Sequence, residues 1–138
     1  MLRSILAVLA GLVLGMFVIT AVESIIPMVY PMPRAVDPRD IEAMRTTLAG
    51  MPVGVFVILM LGWILGALAG GLLAARLAST WFHRAPLRHA LAVGVVQTIG
   101  AVTNFAMLPH PTWVLIAGLV VFIPMALLGG RLGQRPAV

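Results

Sequence analysis

The sequence predicts an all-α, polytopic integral membrane protein: four transmembrane helices in an up-down bundle plus one short amphipathic surface helix. Three observations predict it. The 138-residue chain is 62% hydrophobic and only 9% charged, with a mean hydropathy of +1.12. A soluble domain this small could not cover so much apolar surface with four acids and nine arginines. Its apolar residues fall into four runs, each suited to a hydrocarbon core about 30 Å thick at about 1.5 Å per helical residue. The run from Pro52 to Arg76 also carries Gly62, Gly66 and Gly70 at four-residue spacing, with Ala74 next in the series. Such a small-residue ridge lets a second helix approach closely in a medium where lipid removes the hydrophobic drive for association.

The chain reads as one membrane domain, 1–138. Its first helix is expected over 4–27. That run exceeds the roughly 7–15-residue core of a signal peptide, so it is expected to stay in the protein. Gly11 and Gly15 form a GxxxG pair there, and Thr20, Glu23 and Ser24 share one face at i, i+3, i+4. Pro27, Pro31 and Pro33 stop the helix by Tyr30. Asp37 followed by Pro38 has the form of a helix start, a capping acid before a first-turn proline. Ile41, Met44 and Leu48 then line one face opposite Arg39, Asp40 and Glu42, until Gly50. This predicts a short amphipathic helix over 38–49, on the membrane surface or capping the bundle.

The second spanning helix is expected over 52–76 and the third over 87–108, joined by a connection holding Trp81, Phe82, His83, Arg84, Arg88 and His89. Aromatic and basic residues suit an interfacial layer. The fourth helix is expected over 111–130, with Pro124 as a kink. The turn Pro109-His110-Pro111 is short enough to make the last two helices antiparallel neighbours. A faint repeat is also visible. Pro52 and Pro111 each precede an Ala-Leu-x-Gly-Gly at the same interval, Ala67 to Gly71 and Ala126 to Gly130.

Charge sets an expected orientation. Arg3, Arg76, Arg84, Arg88, Arg131 and Arg135 share one side with no acid, while Arg34, Arg39 and Arg45 balance Asp37, Asp40 and Glu42 on the other. The positive-inside rule places both termini in the cytoplasm of a multi-pass protein of the inner (plasma) membrane. It also accounts for the net charge of +5 without nucleic acid as a partner.

One candidate site emerges from counting helical rise. Glu23 lies nineteen residues beyond Ser4, roughly 28 Å along the axis and near the outer end of helix one. Gln97, Ala101 and Asn104 share a face of helix three, with Gln97 near mid-membrane and Asn104 about 10 Å further out. His110 lies at the same outer level. Glu23, Thr20, Ser24, Thr103, Asn104 and His110 can therefore converge, with Gln97 deeper. A carboxyl group near lipid persists only when partnered, hydrated or protonated, which fits Glu23 for proton or cation binding. The bland alternative is a tie between helix one and helix three through Asn104. Gln97 reads first as interhelical glue.

Other chemistries find no support. With no cysteine there is no disulfide, thiolate metal site or Cys nucleophile. His83 and His89 stand six apart, a spacing no common helical metal pair uses, and no helix carries a central haem-ligating histidine. No Ser-His-acid signature and no phosphate-cradling glycine loop occur, so no enzyme, metal or cofactor is expected. Trp81 and Trp113 fit opposite aromatic belts; Trp63, deeper in its helix, does not.

A helix-one glutamate and small size invite comparison with small multidrug transporters, but the first loop here is far longer and Glu23 lies toward the opposite end. Glu23, the Tyr30-Pro31 exit and the Pro109-His110-Pro111-x-Trp113 turn together resemble small uncharacterised bacterial four-helix inner-membrane proteins, over most of the chain. That resemblance implies no activity. The expected role is first a structural or accessory subunit, self-associating or docking to a larger membrane complex through the glycine ridges. The second is a small oligomeric transporter or channel for protons, cations or small solutes using Glu23 and Asn104.

Overall fold

Uninterrupted apolar residues leave the backbone no partner but itself, and each run closes its hydrogen bonds as a helix. The computed structural model describes residues 2–30, 37, 39–82, 86–108 and 110–134. Among them lie α1 (Leu2–Glu23), α2 (Ile26–Val29), α3 (Ile41–Ala49), α4 (Val53–Phe82), α5 (Pro86–Met107) and α6 (Thr112–Gly133), with no strand. Four spans are long and apolar enough to cross a membrane: Leu2–Val29, Val53–Trp81, Pro86–Met107 and Thr112–Gly133. They pack as an up-down bundle.

The bundle is inside-out in character. Phe17 is 69% exposed and Ile116 62%, while Ala7, Ala67, Ala74, Ala90 and Ala126 are fully buried. Among the described residues the largest completely enclosed side chains are only Val93 and Val114. Large apolar groups gain nothing by leaving lipid for protein, so small residues occupy the contacts and the backbones come close.

Two such seams hold α4 at the centre. Along the first, α1 runs antiparallel to α4. A Cβ on Gly15 would stand 2.8 Å from the Gly66 carbonyl oxygen, and one on Gly70 2.7 Å from that of Gly11. The GxxxG pair of α1 thus faces Gly66 and Gly70 of α4, with Ala74 against Gly11 and with Gly62 in ordinary contact with Ile19 and Val22. The ridge expected to serve a partner subunit is covered by the chain's own first helix. Along the second seam α4 and α6 are parallel. A Cβ on Gly71 would strike the Ala126 backbone, and Cβ atoms on Gly129 and Gly133 would strike those of Leu68 and Leu72. The two Ala-Leu-x-Gly-Gly segments therefore lie against one another. On α5, Ala90 and Gly94 meet Gly130 and Ala126 of α6.

Several boundaries differ from those expected. The first helix ends at Glu23; Ser24 and Ile25 form a turn before the short α2. Tyr30 then packs on Gly54 at the start of α4. The second spanning helix continues six residues past Arg76 because nothing in Leu77 to Phe82 breaks it, and Ala78 and Ser79 stay buried. The third helix starts at Pro86 and ends at Met107, and the fourth runs on to Gly133 with Pro124 inside an unbroken helix. The amphipathic helix is capped by Asp40, whose carboxylate accepts the Ala43 N–H at 2.9 Å. Asp37, the expected cap, instead accepts the Arg39 N–H at 2.9 Å. Pro38, like 31–36 and 83–85, lies outside the described residues.

Candidate functional site

Helices α1 and α5 run parallel and meet closely only where glycine allows it. A Cβ on Gly11 would stand 3.0 Å from Val93, and one on Gly15 2.6 Å from the Gln97 amide nitrogen. Beyond Gly15, the side chains of Met16, Ile19 and Glu23 take over on α1, and the helices part. The result is a groove of about 610 Å³ between α1 and α5, backed by Trp63 of α4 and Phe122 of α6. That volume lies within the range of about 300–1,000 Å³ usual for small-ligand sites.

Glu23, Gln97, Asn104 and His110 all line this groove, together with Gly100 and Ala101. Three other candidates stand apart from it. Thr20 is exposed, the Ser24 hydroxyl donates to the Ala21 carbonyl at 2.7 Å, and that of Thr103 donates to Ile99 at 3.0 Å. Threonines in lipid commonly satisfy their hydroxyls this way, one turn back along their own helix.

Glu23 is half-buried at the mouth, and the Trp63 indole lines the same groove beside it. Trp63 is held from behind. Its ring lies 5.6 Å from Phe105 and 5.7 Å from Phe122, and glycine at 118 makes room for it, since a Cβ there would stand 2.5 Å from the indole. His110 is fixed by an edge contact with Phe105 at 5.2 Å and by its Nδ1, 2.9 Å from the Leu108 carbonyl. Trp63 is the site residue that the sequence reading left unassigned. Its signal was a tryptophan too deep for the interfacial belt.

Gln97 is the anomaly. Both polar atoms of its amide are buried, and neither finds a hydrogen-bond partner among the described residues. As glue between helices it therefore makes no bond. An amide left unpaired away from water weakens a fold, so this one calls for a partner that the described side chains do not supply. Gln97→Leu, close in shape, is expected to raise thermal stability in detergent, by about 1 kcal/mol. A loss of stability would mean that the amide is paired after all.

Among the described residues no group of three His, Cys, Asp or Glu side chains could hold a metal ion. His83 lies outside those residues. Comparison with family models, with curated proteins and with solved structures finds no match. The site's own chemistry is thus the guide to function. It offers one carboxyl group, an amide and an imidazole at the end of an apolar trough and a second amide, that of Gln97, deeper along it, with no arginine among the described lining residues.

Proposed function

We propose that this is an integral, multi-pass membrane protein that binds a small ligand in the α1/α5 groove and carries it through the membrane. Glu23 is the contact for the ligand's positive or hydrogen-bond-donating part. The observation that carries this reading is the convergence of Glu23, Gln97, Asn104 and His110, from two spanning helices and a turn, on one groove. Polar groups are expensive in lipid, and four of them around one cavity fit recognition of a solute better than packing. The buried, unpaired Gln97 amide supports the same reading, because a side chain selected for packing alone would be apolar.

Arg3, Arg88 and Arg131 lie at the bundle end opposite Glu23, which supports cytoplasmic termini and a groove opening toward the outer side of the inner membrane. A purely structural role through the glycine ridge has less support, since α1 already covers Gly66 and Gly70. Self-association or docking to a larger complex would use the exposed apolar faces instead.

The test is flux into liposomes holding the purified protein, with organic and inorganic cations as probes. The Glu23→Gln variant keeps the shape and hydrogen-bonding reach of the side chain but removes its charge. It is expected to slow cation flux about tenfold or more, the worth of one charge-assisted contact. Flux equal to that of empty liposomes for the unaltered protein with every probe, simple cations and ammonium-bearing amphiphiles alike, would end the transport reading.

A further inference from the structure

The groove does not stop at His110. The same side chain, with Pro111, also lines a second cleft of about 560 Å³, whose other walls are Arg45 and Ala49 of α3. Two cavities thus meet at one imidazole, with the Glu23 carboxyl on one side and the Arg45 guanidinium on the other. Below them the groove runs inward between apolar walls formed by Leu12, Met16, Leu59 and Val96. A carboxyl group lining one cavity and a guanidinium lining the other, with His110 common to both and an apolar trough beyond, match the outline of a zwitterionic amphiphile.

Arg45 is available for such a partner. Its ion pair with Glu42, one turn earlier, is 4.0 Å long with both side chains well exposed, and a pair of that kind is weak and easily exchanged. The nearby Asp37 and Asp40 carboxylates are engaged with backbone N–H groups of α3 and its lead-in. A phosphate offers guanidinium a stronger, bidentate match than an exposed glutamate does.

We propose that the groove and cleft together bind a zwitterionic phospholipid. Its ammonium meets Glu23, its phosphate meets Arg45 beside His110, and one acyl chain lies in the groove. This rests on the groove being a ligand site and names the ligand. A simple cation would leave Arg45 unused, and a simple anion would face Glu23.

The test is native mass spectrometry of the full-length protein in detergent, offered three probes: dimyristoyl phosphatidylethanolamine, dimyristoyl phosphatidylglycerol and tetradecylamine. The first carries both charges, the second only the phosphate, the third only the ammonium. The unaltered protein is expected to retain phosphatidylethanolamine about tenfold better than either of the others. Arg45→Gln, at an exposed position, should lower its retention to that of the amine and leave the amine unchanged. Glu23→Gln should weaken both. If Arg45→Gln changes nothing while Glu23→Gln still weakens binding, the phospholipid is wrong and the groove reading stands. If Glu23→Gln also changes nothing, both fail. Displacement by free glycerophosphoethanolamine at equal concentration would show that the ligand is a soluble headgroup, and would overturn the acyl chain's place in the groove.

Discussion

Replacing Gly71 with leucine is expected to destabilise the bundle by forcing α6 away from α4. A Cβ at this position would collide with the Ala126 carbonyl group, which is backbone and cannot rotate aside. The same seam has Gly129 and Gly133 against Leu68 and Leu72, so α6 cannot shift along α4 without meeting the next close contact. The helices must separate, and dispersion contacts along the whole face weaken, in a medium where those contacts are the main attraction. Overpacking of this kind costs about 3 kcal/mol or more. Circular dichroism in detergent should show the melting temperature falling on the order of 10 °C. An unchanged melting temperature would mean that α4 and α6 do not pack in this register. Gly66→Leu should act in the same direction through the α1 seam, where a Cβ would stand 2.7 Å from the Gly15 carbonyl oxygen.

The same substitution at Gly100 is expected to do the reverse: leave the fold intact and remove the proposed ligand binding and flux. A Cβ there meets nothing within 4 Å, and the residue lines the groove. A leucine would relieve the helix of a glycine, worth about 0.8–1 kcal/mol in helix propensity, and place its side chain where the ligand would lie. Steric conflict of about 1–3 kcal/mol corresponds to binding weaker by roughly 5- to 150-fold. Retained stability with lost flux separates the groove from the packing. Flux equal to that of the unaltered protein in Gly100→Leu would show that solute takes another path.

The spans were legible because lipid solvation is written in composition. Apolar length alone marks four helices, and glycine at four-residue spacing marks the faces that come together. Rise per residue was enough to put Glu23, Asn104 and His110 at one level. What a single sequence does not carry is which helix lies beside which. The face of α4 bearing Gly66 and Gly70 suits any close partner, and only the bundle shows that α1 takes it. Trp63 could be recognised as out of place in depth, yet its approach to Glu23 depends on how α1 and α4 are rotated. Thr20 and Ser24 share a helical face with Glu23 in the sequence, but the helix ends at Glu23 and the Ser24 hydroxyl turns back to its own backbone. Asp37 and Asp40 both precede a plausible first turn, and either could cap it. The choice falls to Asp40, whose carboxylate reaches the N–H of Ala43 three residues on.

The proposed function stands on a ligand held at Glu23 in the α1/α5 groove. The most direct measurement is an experimental density map of the protein in lipid nanodiscs, compared between the unaltered chain and Gly100→Leu. An elongated density between α1 and α5, reaching the Glu23 carboxyl and lost in the variant, is expected. A groove closed by α1 resting on α5 along its length, with the Gln97 amide bonded to a neighbouring helix, would contradict it.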